Sequence, residues 1–147
     1  MVETKMNMEQ QWTKKYFDEL TYSVVGAAIE VHKELGPGLL ERVYHRCLVH
    51  ELHSRKIYFQ SEMVIPITYK TLSLDAELRC NFFVENALVV ELKAVEFVLP
   101  VHEAQIITYM KLLKVPKGVL INFNVKNLFK DGQKTYVNEF FRSLPEK

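Results

Sequence analysis

Residues 87–95 read Ala-Leu-Val-Val-Glu-Leu-Lys-Ala-Val, seven apolar side chains interrupted by one acid and one base. Side chains alternate across a strand, so Glu91 and Lys93 share one face and Val90, Leu92 and Ala94 share the other. Two readings follow for the charged face. Either it is solvated and Glu91 and Lys93 form a strand-face ion pair, or they are a catalytic pair held on a rigid strand.

The surrounding pattern gives that strand a setting. In residues 16–35 the apolar positions Phe17, Leu20, Val24, Ala28, Val31 and Leu35 follow helical spacing. Gly36-Pro37-Gly38 breaks the chain, and a second amphipathic helix follows, with Leu40, Val43, Tyr44, Cys47, Leu48 and Leu52 on its inner stripe. Strand-like sequence then runs from Ile57 to Val98, with Pro66 marking an edge strand or an interruption. Residues 100–114 return to helical spacing behind Pro100, residues 118–124 form a buried strand, and residues 134–141 a last one. The expected fold is α/β (α+β), a mixed sheet flanked by helices in the order α-α-β-β-β-α-β-β. Residues 1–15 read as an N-terminal extension and 16–147 as a single domain.

Nineteen basic and eighteen acidic residues leave a net charge of +1, which excludes a strongly basic coat for nonspecific nucleic-acid binding. Cys47 and Cys80 form no disulfide framework, and no run approaches the ~18 apolar residues of a membrane span. A cytoplasmic protein is expected.

Hairpin register ties a further residue to the pair. A two-residue loop, Glu85-Asn86, would set Asn81 opposite Val90, whereas a three-residue loop, Glu85 to Ala87, pairs Val84 with Leu88 and sets Asn81 opposite Glu91, with Cβ atoms ~4.5–5.5 Å apart, within reach of one shared ion. Gln105 and Tyr109 are spaced i, i+4 and lie one above the other. Glu41 and Tyr44 are spaced i, i+3, with Glu41 in a first helical turn, where an acid is favourable. His45, Cys47, His50 and His53 lack a second Cys/His pair, so the histidines read as a solvated helix face and Cys47 as core. Lys111, Lys114 and Lys117 read as solvated surface, with a phosphate-contacting edge as the alternative.

These segments carry a resemblance. Residues 38–44, GLLERVY, match the Gly-x-x-Glu-x-x-Tyr signature of the GxxExxY family, and VELKAVE (90–96), HEAQ (102–105) and LINFN (120–124) look like its other segments. That family lies within the PD-(D/E)XK nuclease superfamily, and residues 105–109 resemble the Gln-x-x-x-Tyr motif of its exonuclease-like branch. The resemblance implies a restriction-endonuclease-like core and a nuclease acting on nucleic acid, with DNA favoured and a homodimer left open. It implies Mg²⁺ or Mn²⁺ held by Glu91, Glu41 and Asn81, with the Leu92 carbonyl as a further ligand. The resemblance further implies that Lys93 orients the attacking water, Gln105 positions substrate or water, and Tyr109 and Tyr44 contact substrate; separately, the i, i+3 spacing of His102 and Gln105 makes His102 a candidate to face the site. Asn81 stands where the superfamily usually has Asp, which removes one anionic ligand. The implied alternatives are recruitment of Asp75 or Glu77, or a nuclease fold that keeps binding of nucleic acid or a protein partner without chemistry.

Overall fold

A computed structural model describes residues 11–147, apart from the side chains of Ala76 and Glu77. Residues 1–10 of the expected extension lie outside the described residues. The elements are α1 (Lys14–Leu35), α2 (Glu41–Ser54), β1 (Phe59–Tyr69), β2 (Leu72–Val84), β3 (Leu88–Lys93), α3 (Pro100–Leu113), β4 (Lys117–Asn122), α4 (Leu128–Asp131), β5 (Gln133–Val137) and α5 (Glu139–Arg142). The order expected from the sequence is present, with two single-turn helices added near the end. The sheet order is β1-β2-β3-β4-β5. Among the described residues only β3 and β4 pair in parallel, and α3 is the crossover that such a pair requires. The fold is therefore α+β and restriction-endonuclease-like.

Local chemistry sets the ends of the elements. Thr13 caps α1 by accepting the Tyr16 N–H, and α1 stops at Gly36, whose N–H donates to the His32 carbonyl over 2.8 Å. Gly36 and Gly38 have φ of +68° and +101°, values L side chains rarely adopt, so the turn into α2 requires both glycines. Pro66 lies on the edge strand β1, and the β1–β2 register shifts between Ile65 and Ile67 around it.

Helices cover both faces. Phe17, Val24, Ala28, Leu48 and Leu52 of α1 and α2 pack on Phe82, Val84, Leu88, Val90 and Leu92. On the other face Ile106, Tyr109 and Met110 of α3 pack on Phe83, Val89 and Leu120. α3 comes so close to β4 that a methyl on Gly118 would lie 3.0 Å from Met110 Sδ. No helix among the described residues is long and apolar enough to cross a membrane.

Three expectations are corrected. The last strand ends at Val137 rather than continuing to Phe141, because the Asn138 side chain accepts the Phe140 and Phe141 N–H groups and starts a helical turn. Lys117 is buried and paired with Asp18 over 2.8 Å, so it offers no phosphate edge. His45 does not share the exposed face of His50 and His53; it is half-buried and stacks on Phe82 at 4.3 Å between ring centroids.

Candidate active site at the end of the central strand

The site is built where the β2–β3 hairpin stops being a regular ladder. Val84 pairs with Leu88, Phe83 with Val89 and Phe82 with Val90, the register of a three-residue loop. Glu85 and Asn86 make that loop with φ of +53° and +52°. One step beyond the last rung, side chains replace main-chain acceptors. The Asn81 N–H donates to Glu91 Oε2 over 2.8 Å, and the Leu92 N–H donates to Asn81 Oδ1 over 2.9 Å. Asn81 and Glu91 meet as the register requires, but their side chains are turned onto the backbone.

This geometry commits one lone pair of the Asn81 oxygen, the atom expected to ligate a metal, to the backbone. Leu92 N–H is a fixed donor, so the amide oxygen of Asn81 must face it, and the NH₂ group must point away. That NH₂ donates to Glu62 Oε2 over 3.1 Å. Position 81 therefore presents hydrogen atoms, rather than an oxygen, toward Glu62.

Glu91 is 5 % exposed and lies on the α3 face, where the phenol of Tyr109 feels its charge. Burial pushes its carboxyl up to about 7, against the Asn81 N–H and the nearby Lys93 ammonium, both of which favour the charged form. The charges of Glu41 and Glu62 push in the same direction as burial. Oε2 holds the Asn81 hydrogen bond; Oε1 has no partner among the described residues. Lys93 is half-buried and forms no ion pair among the described residues, although its charge reaches Glu91 and Glu41.

Glu41 is the first residue of α2 and approaches from the other side of the sheet. Burial raises its pKa first, Lys93 lowers it, Glu62 raises it and His102 lowers it. His102, near the start of α3, accepts the Leu99 N–H at Nδ1 over 3.0 Å. Its remaining ring proton therefore sits on Nε2 when the ring is neutral. The starts of α2 and α3 are thus within electrostatic reach of each other through Glu41 and His102.

Other expected residues fall differently. Gln105 is half-buried one turn before Tyr109 and makes no hydrogen bond among the described residues. Tyr109 is 4 % exposed within the α3 core and has little surface to stack on a substrate. Tyr44 is fully buried and is corrected from substrate contact to loop fastening. Its hydroxyl donates to the Gly36 carbonyl over 2.6 Å and accepts the Leu39 N–H over 3.1 Å, while its ring stacks on Phe123 at 4.4 Å. The Gly-x-x-Glu-x-x-Tyr spacing has a physical reading: Gly38 makes the turn, Tyr44 ties it down, and Glu41 is aimed. Asp75 is exposed six residues along β2 from Asn81, about 20 Å away on an extended strand, and supplies no replacement acid. The Glu77 side chain lies outside the described residues.

Three residues were missed in the sequence. Asn122 is buried; its Oδ1 accepts the Val95 N–H and its Nδ2 donates to the Val95 carbonyl, holding the chain just after Lys93. Its place beside Lys93 in the parallel pair was open to pattern reading. Glu62 and His45 also belong to the cluster, with His45 Nδ1 3.6 Å from Glu62 Oε2. No spacing rule points to Glu62.

As a donor set, Glu41 and Glu91 offer oxygen alone, which suits a hard divalent cation that keeps several waters. The unpartnered Oε1 of buried Glu91 fits such a ligand. Among the described residues, no three His, Cys, Asp or Glu side chains are gathered to hold a metal by themselves.

A model of the PD-(D/E)XK nuclease superfamily matches residues 18–135, a span that contains Glu41, Asn81, Glu91, Lys93, Gln105 and Tyr109. No curated protein and no solved structure matches the chain. The family match covers most of the sequence and agrees with the fold: the chain belongs to the PD-(D/E)XK nuclease superfamily.

Proposed function

We propose that this chain is a divalent-metal-dependent nuclease that hydrolyses phosphodiester bonds in DNA. The observation that carries the reading is Glu91, a buried carboxylate with one oxygen held by the backbone and the other without a partner, beside Lys93 and within the field of Glu41. Mg²⁺ or Mn²⁺ would be held by Glu91 and Glu41, with the Leu92 carbonyl as a further oxygen. Such an ion polarises phosphate and acidifies a bound water. Lys93, with no competing ion pair, orients the attacking water and offsets charge developing on the phosphate. Gln105 and the His102 Nε2–H are donors for substrate or water. Phe97 and Leu99, 70 % and 50 % exposed before α3, offer apolar surface to unstacked bases. Within the superfamily the chain falls in the GxxExxY branch, a placement supported by the roles of Gly38, Glu41 and Tyr44.

A second reading has its own support. With Asn81 neutral and its oxygen on Leu92, the site has one acid fewer than its relatives, and a member that binds nucleic acid without turnover is the alternative. Single- and double-stranded DNA and RNA incubated with Mn²⁺, Mg²⁺ or EDTA separate the two. Metal-dependent cleavage, reduced at least ~100-fold by Lys93→Ala, is expected. Salt-sensitive binding with no cleavage supports the alternative and overturns the nuclease reading.

A further inference from the structure

We propose that Glu62 supplies the negative charge missing at position 81, and that Asn81 is its holder rather than a ligand. The inference rests on the metal-dependent reading above. Glu62 sits on the edge strand β1, where the rungs Ser61–Phe82 and Met63–Cys80 are made and the intervening Glu62–Asn81 rung is absent. Its backbone is left-handed there, at φ +54°, a conformation that costs a non-glycine residue. The Glu62 side chain is met from two sides. Asn81 Nδ2 donates to Oε2 over 3.1 Å, and His45 Nδ1 lies 3.6 Å from the same oxygen.

Asn81, which holds Glu62, is itself immobilised, its Oδ1 bound by the Leu92 N–H next to Glu91. His45, whose pKa burial lowers, is stacked on Phe82 with Nε2 2.7 Å from Ser61 Oγ and makes no hydrogen bond to Glu62 at 3.6 Å. The Glu62 charge is felt by both Glu41 and Glu91, the two acids assigned to the ion. With the Asn81 amide between Glu62 and Glu91, the third carboxylate acts on the cation through its field and through bound water, as outer-shell groups do. An aspartate at 81 would bring this charge from β2; here it comes from β1, one strand outward.

The test is Mn²⁺ affinity of the full chain by electron paramagnetic resonance, read without any substrate, with circular dichroism and thermal melts confirming that each variant is folded. Wild type is expected to bind Mn²⁺, Glu91→Gln to lose it, and Glu62→Gln to bind about tenfold more weakly. The double variant Glu62→Gln, Asn81→Asp returns the charge to β2 and is expected to recover most of that loss. A merely structural Glu62 would leave Mn²⁺ affinity at the wild-type level in a folded Glu62→Gln protein. Wild-type affinity in Glu62→Gln, or no recovery in the double variant, overturns the inference and leaves the metal reading standing. Absence of Mn²⁺ binding in the wild type overturns both.

Discussion

Two buried charges sit on the neighbouring central strands, and the protein treats them in opposite ways. Lys117, at the start of β4, has a side chain 8 % exposed and is paired with Asp18 at 2.8 Å, with the Phe141 ring 5.6 Å away. Glu91, near the end of β3, is as buried but has no ion pair among the described residues, and its carboxyl is pushed up to about 7. Burying a charge is unfavourable unless a partner compensates it. Lys117 has its compensation inside the chain. Glu91 has a main-chain hydrogen bond and unbonded neighbouring charges of both signs. A charge paired within the chain serves the fold, whereas one left under-compensated at the mouth of a site lowers stability and is retained for what it binds.

The largest expected effect separates these two roles directly. Glu91→Gln should reduce metal-dependent cleavage at least ~100-fold in the nuclease assay. It should also stabilise the metal-free protein at pH 8 by roughly 3 kcal/mol in urea unfolding, because a shift from 4.5 to about 7 makes ionisation in the folded state costly. The sign follows from the raised pKa. The favourable contribution of neutral Glu91 is complete below about pH 4.5 and is lost as pH rises through about 7, so wild type and variant should converge at pH 4.5. A destabilised Glu91→Gln protein at pH 8 would put Glu91 in the same class as Lys117.

Asp18→Asn is the counterpart. It leaves Lys117 buried without its partner and should lower stability by about 1–2 kcal/mol, less than a fully buried pair would lose, because the Asp18 side chain is 65 % exposed. Cleavage should not change. Altered cleavage would remove the separation between fold and site.

The smallest effects compare two tyrosines. Tyr44→Phe removes a hydroxyl bonded to Gly36 and Leu39 and should cost about 1–2 kcal/mol in thermal or urea unfolding. Tyr109→Phe removes a hydroxyl with no partner among the described residues, and a change under about 0.5 kcal/mol is expected. Equal losses would show that Tyr109 is also a fastening.

What was legible in the sequence was local. Period-two alternation put Glu91 and Lys93 on one face, the glycine break placed Glu41 at a helix start, and loop length narrowed the hairpin to two registers, of which the three-residue loop is the one formed. Strand propensity alone carries the last strand past its end, whereas Asn138 in Asn-Glu-Phe-Phe has the chemistry of the cap that stops it. The pairing of Lys117 with Asp18 spans 99 positions and leaves no periodic trace. His45 was assigned to solvent with His50 and His53, and only the approach of β2 to α2 separates it from them. Glu62 was illegible for a stronger reason. Its place depends on a left-handed residue inside a strand and on a missing rung opposite Asn81, neither of which leaves a mark in the sequence pattern.

The central claim is that Glu91 is held under-compensated for a cation. Its most direct test is a ¹³C NMR titration of the Glu91 carboxyl, with and without Mg²⁺, assigned against Glu91→Gln. A midpoint near pH 7 without metal, moving to lower pH when Mg²⁺ is added, is the expected result. A midpoint near 4.5, or one that Mg²⁺ leaves unmoved, would contradict it.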